Sequence, residues 1–208
     1  MPRPRSLTHS GIATAALAAI DRAGLAALSM RAVAAELGVS TMSLYRYVTD
    51  RKQLEGLVVD LVLSSVNTTP PVGSSWTKQV AALVERIRDA VGAHPSVVPL
   101  ILTRRHTSET MLRWFEAILG VLADAGFTGA QRVVALRSLS SYVIGAMQLE
   151  HLGPLSGSGT AVMANLPHAG YPLLADTARH AQQLPPDEEF RRGLDVMLRG
   201  LRPDATLP

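Results

Sequence analysis

Apolar residues recur along this chain at the spacing of an α-helix. Residues 12–23 repeat them at positions i, i+3, i+4 and i+7, and residues 54–62, 133–147 and 190–201 follow the same rule. No sustained alternation of apolar and polar residues, the pattern of a half-buried strand, interrupts these stretches. The periodicity predicts an all-α protein in which each helix buries one face.

Glycine and capping residues divide the pattern into separate helices. Gly24 is placed to end the first helix, and Ser29 and Ser40 are placed to cap the next two. Asp50 followed by Gln53 has the spacing of a capping box and opens a fourth helix. Later helices are predicted over residues 76–93, 95–104, 108–125, 128–152 and 187–201, and Thr128 with Gln131 forms a capping box before the fourth of these.

Two segments rich in proline and glycine interrupt the helical pattern. Residues 68–75 have the composition of a linker, and residues 153–186 that of a long irregular connection with one short helix near residues 160–166. These breaks predict three parts. They are a helix-turn-helix domain over residues 1–50, a linking helix over 51–67, and a larger helical ligand-binding and dimerisation domain over 68–208.

Residues 29–47 predict two helices that cross through a tight turn. Ala34 is small enough to let the two backbones approach, and Gly38 suits the left-handed conformation that such a turn requires. The apolar residues expected to seal the pair are Leu44, Val33, Leu37, Val39 and Val48.

The charge distribution favours a polyanionic partner for this end of the chain. The 208 residues carry a net charge of +3, but residues 1–52 alone contain seven Lys and Arg against three acidic residues. The second helix of the pair presents hydroxyls, tyrosines and an arginine, which suit base edges in the major groove. The same features also fit an ordinary corner of two helices in which Tyr45 and Tyr47 simply pack, so the spacing alone leaves both interpretations open.

Composition and motif spacing exclude several other classes of protein. The absence of cysteine excludes a disulfide scaffold and thiolate metal sites, and it fits a cytoplasmic protein. The apolar run 57–63 contains Asp60 and is far too short to cross a membrane. Residues 11–20 are not expected to form a signal peptide, because the stretch is alanine-rich and runs into Asp21 and Arg22. No histidine pair has metal-ligand spacing and no catalytic or phosphate-binding glycine motif occurs, so no metal, cofactor or enzymatic activity is predicted.

The segment from Leu28 to Val48 resembles the DNA-binding segment of the TetR family of bacterial transcriptional regulators; it reads LSMRAVAAELGVSTMSLYRYV. The resemblance extends over about residues 8–63, since RAGL precedes this segment and DRKQL follows it. Residues 190–201 more weakly resemble the last helix of the tetracycline-repressor type of C-terminal domain.

The resemblance implies a homodimer that binds a palindromic operator in double-stranded DNA and releases it when a small-molecule effector binds the helical body. On the matched positions, Arg31 can reach DNA from the first helix of the motif, and Arg51 takes the place of a phosphate-contacting lysine. Tyr47 stands where many members have histidine, so no operator sequence is carried over. The residues expected to contact DNA are Arg31, Ser40, Thr41, Met42, Ser43, Tyr45, Arg46, Tyr47, Arg51 and Lys52.

Most apolar residues after residue 68 are expected to form the core of the body, and two subsets are assigned to function. The candidate effector pocket combines aromatic, methionine and polar side chains: Arg104, His106, Met111, Trp114, Phe115, Tyr142, Met147, Gln148 and His151. The candidate dimer interface uses a second apolar face of the long helix and the terminal helix: Leu139, Tyr142, Ala146, Leu149, Leu194, Met197 and Leu201. Burial of both faces within one subunit is the alternative.

The sequence therefore predicts a one-component transcriptional regulator, most simply a repressor. Two alternatives stay open. One is a helical small-molecule-binding protein without specific DNA recognition, which the basic cluster of Arg46, Arg51 and Lys52 disfavours. The other is an activator with the same fold.

Overall fold

The computed structural model describes residues 7–152 and 157–203, and among these it gives no account of the side chains of residues 151 and 152. Arg3 and Arg5, which contribute to the basic charge of the first 52 residues, lie outside the described residues. The described residues contain helices and no strand. The helices are α1 (His9–Ala23), α2 (Met30–Glu36), α3 (Thr41–Tyr45), α4 (Arg51–Leu63), α5 (Trp76–Gly92), α6 (Val98–Arg104), α7 (Glu109–Asp124), α8 (Gly129–Leu152), α9 (Ser158–Ala164), α10 (Pro172–Ala181) and α11 (Pro186–Gly200).

The chain divides into two compact units, residues 1–69 with 85–117 and residues 70–84 with 118–208. This division differs from the boundaries expected from the sequence, because α6 packs against α4 and the 3-10 turn Pro95–Val97 packs against α1. A segment of the predicted body thereby joins the same unit as the first four helices.

The first unit is built around α1, whose face of small and branched residues packs against α2 and α4. Ile12, Ala16 and Ile20 are completely buried there. Leu44 on α3 is also completely buried, which contributes about 1.5–3 kcal/mol to stability. The prediction that Leu44, Val33 and Val48 seal the helix pair is confirmed, whereas Leu37 and Val39 are only half-buried.

Two helix pairs pack within the second unit. α8 packs against α11, where the Tyr142 hydroxyl donates to the Phe190 carbonyl at 2.7 Å and the two rings lie 5.5 Å apart. α9 packs against α10. At the beginning of the unit, the rings of Trp76 and Phe127 meet edge to face at 5.3 Å.

The structure corrects the sequence prediction in two places. The connection over residues 153–186 contains a second helix, α10, in addition to the expected short helix. Pro172 is one of the prolines that give this segment the composition of an irregular connection, but it occupies the beginning of α10, where proline is well tolerated because that N–H has no helical partner. The residues that α10 buries are the alanines Ala175 and Ala178, which give little apolar signal.

The second correction concerns which face of α8 is buried. The periodic apolar stretch over residues 133–147 predicts that Val133 is buried, and Leu139 is predicted on the second apolar face, the candidate dimer interface. In the structure Val133 is 49% exposed, whereas Leu139 is only 1% exposed. Leu139 belongs to a buried row at four-residue spacing with Ala135, Val143 and Met147. Among the described residues no helix is long and apolar enough to cross a membrane.

Candidate nucleic-acid interface

The turn between α2 and α3 is fixed by local features of the sequence. The Ser29 hydroxyl accepts a hydrogen bond from the Ala32 N–H at 3.1 Å and caps α2. Gly38 has a φ of +65°, a conformation that an L side chain rarely adopts. The Ser40 hydroxyl accepts from the Ser43 N–H at 3.1 Å and caps α3. Because α3 has only five residues, its position depends on this cap and on the burial of Leu44.

The outer face of α3 carries exposed side chains with several kinds of DNA-contacting chemistry. Met42 is 77% exposed and Tyr45 is 47% exposed, and Tyr47, two residues after the helix, is 39% exposed. Thr41 and Ser43 are half-buried, and the Ser43 hydroxyl lies 2.8 Å from that of Ser40. An apolar group suited to thymine methyls, phenolic hydroxyls and a serine hydroxyl thus lie close together in the chain, and side chains of these kinds contact base edges in the major groove.

Four cationic side chains lie on α2, just after α3 and at the start of α4, and they differ in how they are held. Arg31, Arg46 and Lys52 are exposed, and none of them has a hydrogen-bond or ion-pair partner among the described residues. Arg51 is 48% exposed and its Nε donates to the Glu55 carboxylate at 2.9 Å. All four positive charges therefore remain accessible to a polyanion, with Arg51 oriented by a carboxylate.

The N-terminus of α4 is only partly free to bind a phosphate. The Asp50 carboxylate already accepts the Gln53 N–H at 2.7 Å, so that amide is not available. Gln53 reaches back to the Thr49 N–H at 2.8 Å, one residue before the position that a standard capping box uses. A phosphate at this end would depend on the Arg51 and Lys52 side chains and the amides before Gln53.

Sequence reasoning did not single out two residues that hold this region together. His9 Nε2 donates to the Tyr47 carbonyl at 3.0 Å and ties the beginning of α1 to the end of the motif. Glu55 binds Arg51 through one carboxylate oxygen and the Arg104 guanidinium through the other, at 2.7 Å. Burial acts to raise the pKa of Glu55, but the hydrogen bonds from Arg104 and Arg51 outweigh it, so the pKa is lowered overall. The spacing of Arg51 and Glu55, four residues apart on one helix, is a sequence signal for an ion pair. The contacts of His9 with Tyr47 and of Glu55 with Arg104 have no such signal, because their partners are far apart in the sequence.

Two family models cover most of the chain. The model described as bacterial regulatory proteins of the tetR family matches residues 12–54, which contain α2, the turn and α3. The model of the tetracyclin repressor-like C-terminal domain matches residues 69–204. The chain belongs to the TetR family. It is a transcriptional regulator with an N-terminal helix-turn-helix DNA-binding domain, as the sequence predicted.

Relatives of this TetR-family regulator carry consistent descriptions. An HTH-type transcriptional regulator of Saccharopolyspora erythraea is 30% identical over 97% of the chain and 87% of the relative. An HTH-type transcriptional repressor of Streptomyces coeruleorubidus is 32% identical over 70% of the chain and 54% of the relative. Among solved structures, apo ActR of Streptomyces coelicolor superimposes with a TM-score of 0.79 at 28% identity, covering 97% of this chain and 96% of ActR. ActR has also been solved in complex with (S)-DNPA and with actinorhodin.

The residues predicted to bind an effector fall into different environments in this regulator. Met111, Trp114 and Met147 are buried, and Phe115 is half-buried with its ring 5.4 Å from that of Trp114. Arg104 is half-buried and bonded to Glu55. His106 and Gln148 are exposed, Tyr142 is half-buried and bonded to Phe190, and the side chain of His151 lies outside the described residues. Residues 104–115 belong to the first compact unit and residues 142–148 to the second.

Two cavities have well-defined linings. A cleft of about 750 Å³ in the first unit is bounded by α1, the end of α4 and the second half of α5, and its lining includes none of the nine predicted pocket residues. A smaller cleft of about 320 Å³ between α8 and α11 has Tyr142 in its wall. No three His, Cys, Asp or Glu side chains are grouped as metal ligands within the described ranges.

The residues predicted to form the dimer interface also separate by burial. Leu139 and Leu194 are each only 1% exposed in the single chain, so they have no surface left to contribute to a partner. Tyr142, Ala146, Met197 and Leu201 keep part of their surface, and Leu149 is 51% exposed. Tyr142, Ala146 and Leu149 line the smaller cleft beside α11.

Proposed function

We propose that this chain is a repressor that binds a palindromic operator as a homodimer and leaves the DNA when a small-molecule effector binds its helical body. The observation that carries the proposal is the exposed face of α3, together with four accessible cations on α2, just after α3 and at the start of α4. A relative described as a transcriptional repressor supports repression rather than activation. The complexes of ActR with (S)-DNPA and actinorhodin support a small-molecule effector.

The proposed contacts with DNA divide by role. Thr41, Met42, Ser43 and Tyr45 read bases from α3, and Arg46 and Tyr47, which directly follow α3, contact the same groove. Arg31, Ser40, Arg51 and Lys52 bind the backbone or reach the groove edge. In a dimer the two copies of α3 must stand about one helical turn of DNA apart, roughly 34–36 Å, to enter successive major grooves.

Release follows from a difference in effector affinity between two states of the dimer. The effector binds more tightly to the state in which α4 is tilted and the two copies of α3 no longer match the spacing of the DNA grooves. It shifts the equilibrium between the two states only as far as its affinities for them differ. Met111, Trp114 and Phe115 of the first unit remain the proposed effector contacts, whereas Arg104 of the same unit is already engaged by Glu55. The chain catalyses no reaction in this scheme and acts in the cytoplasm, where its DNA lies.

Fluorescence anisotropy tests the DNA-binding part of the proposal. The purified protein is titrated onto a duplex from upstream of its own gene and onto a scrambled duplex of equal length, over a series of salt concentrations. We expect tight, selective binding to the upstream duplex, with a log–log salt slope of about −0.9 for each phosphate contact. Equal affinity for the upstream duplex, the scrambled duplex and duplexes from the rest of the gene's neighbourhood would contradict an operator-specific function and favour a ligand-binding protein without DNA recognition.

The same assay tests release. Actinorhodin and (S)-DNPA are the first compounds to add, because ActR has been solved with both. A compound that binds the protein by calorimetry is expected to lower operator affinity. If every compound that binds leaves the DNA affinity unchanged, effector release is wrong. Transcription from the operator in a reconstituted system separates repression from activation.

A further inference from the structure

A single carboxylate links the DNA-contacting end of α4 to the last turn of α6. Glu55 is 17% exposed, and each of its oxygens accepts one hydrogen bond from a different guanidinium. Arg51 Nε donates to one oxygen at 2.9 Å, and Arg104 donates to the other at 2.7 Å. Arg104 lies 49 positions further along the chain and is 23% exposed. All three residues belong to the same compact unit.

The arrangement leaves Arg51 bound to Glu55 through one atom only. Arg51 donates to one oxygen of Glu55 through Nε and the other oxygen accepts from Arg104, so Arg51 does not form the two-bond pair that arginine and carboxylate favour. Its remaining contact is a long hydrogen bond of 3.4 Å to the Leu25 carbonyl, and its side chain is 48% exposed. Two cations share one anion, so the group as a whole keeps a positive charge beside the DNA-facing surface.

We propose that Arg104 is a positioning residue for DNA binding, which holds Glu55 so that Arg51 presents its charge and free N–H groups to a phosphate. Without Arg104, both carboxylate oxygens turn to Arg51, its guanidinium closes into a two-bond pair, and its charge is neutralised. DNA affinity then depends on a residue of α6, outside the segment 1–67 that the sequence assigns to DNA recognition. This inference rests on the proposed phosphate contact of Arg51.

The test compares Arg104→Gln with Arg105→Gln in the anisotropy assay. Arg105 is the next residue and carries the same charge, but it is exposed and donates locally to the Leu102 carbonyl. Arg104→Gln is expected to weaken binding to both the upstream and the scrambled duplex by roughly tenfold, in the range of directly coupled residues. It should also flatten the salt slope by up to about one unit per protomer. Arg105→Gln should change neither quantity.

Rescue separates this role from a structural one. In the double variant Arg104→Gln with Glu55→Gln, no carboxylate remains to neutralise Arg51, so affinity should return to within about threefold of the wild type. Arg104→Lys keeps a charged donor and should bind like the wild type. Circular dichroism melts verify that each variant is folded. If Arg104→Gln does not fold, Glu55→Gln alone decides, because it frees Arg51 and should bind both duplexes at least as tightly as the wild type.

The failures of the two proposals are distinguishable. A wild-type protein that binds both duplexes equally contradicts the operator function but leaves the comparison of Arg104→Gln with Arg105→Gln intact. Equal behaviour of these two variants on both duplexes overturns the role of Arg104. So does a double variant that binds as weakly as Arg104→Gln, since that result assigns the loss to displaced structure.

Discussion

Gly193 lies inside α11, where helix propensity alone would favour alanine. A Cβ built on this residue would stand 2.3 Å from the Tyr142 hydroxyl oxygen. That hydroxyl cannot move away without loss, because it donates to the Phe190 carbonyl at 2.7 Å. The glycine is therefore required by a close contact between α8 and α11 rather than by backbone conformation.

Gly193→Ala is expected to lower the free energy of unfolding by about 1–3 kcal/mol, the usual cost of overpacking. Gly120→Ala is the matched control in the interior of α7, where a Cβ would meet nothing within 4 Å. The control should gain about 0.5–1 kcal/mol from helix propensity. Urea unfolding at fixed protein concentration measures both, and an equal gain in the two variants would contradict the contact.

Arg51 makes a second prediction at the scale of the residue. Arg51→Ala removes one proposed phosphate contact, so it should weaken binding to all DNA sequences and flatten the salt slope by roughly one unit per protomer. Arg113→Ala is the control, because Arg113 is also exposed and also pairs with a glutamate on its own helix, Glu109, at 3.3 Å. A salt slope that does not change in Arg51→Ala would remove Arg51 from the phosphate contacts.

At the scale of the element, the contact between α4 and α6 gives the stability of the protein a pH dependence. The hydrogen bonds from Arg104 and Arg51 lower the pKa of Glu55 despite its burial. A carboxylate with a lowered pKa in the folded state stabilises the fold at pH values above its unfolded pKa. This stabilisation is lost as the pH falls through the folded pKa.

Glu55→Gln should therefore make the protein less stable at neutral pH and reduce the further loss of stability below about pH 4.3. Thermal melts followed by circular dichroism between pH 3 and pH 7 measure this slope. Glu116→Gln on α7 is the control, since this exposed glutamate forms no ion pair within the described part of the chain. If the stability of the wild type and of Glu55→Gln falls equally between pH 7 and pH 3, the paired carboxylate contributes nothing to the pH dependence of stability.

At the scale of the whole molecule, the proposed dimer depends on the surface that α8 and α11 leave open. Leu149 is 51% exposed and lines the cleft beside α11 together with Ala146. A charge placed here would be buried without a partner in a dimer, which is costly, but it would remain solvated in a monomer.

Leu149→Glu is accordingly expected to shift the protein from dimer to monomer in light scattering and to weaken operator binding by at least about tenfold, because the two half-sites are no longer bound together. Leu112→Glu on α7 is closely matched, since Leu112 is 50% exposed. The control should remain dimeric. A Leu149→Glu variant that stays dimeric would place the interface elsewhere.

The sequence by itself determined the DNA-binding part of the molecule. The caps at Ser29, Ser40 and Asp50, the positive φ of Gly38 and the burial of Leu44 all agree with the sequence prediction. These features could be predicted because each depends on residues within about four positions in the sequence, which is about one helical turn. The exposed residues of α3 followed from the same local geometry.

Only the tertiary structure decided how distant segments meet. The apolar residues of α8 are spread around the helix rather than gathered in one stripe, so its periodicity could not show whether Val133 or Leu139 faces inward. Packing within the unit made that choice. Glu55 and Arg104 are far apart in sequence, and no spacing rule connects residues on separate helices. Local patterns specify which face a helix can bury, whereas the packing of several helices at once specifies which side chains touch. That packing places Arg104 against Glu55 on α4.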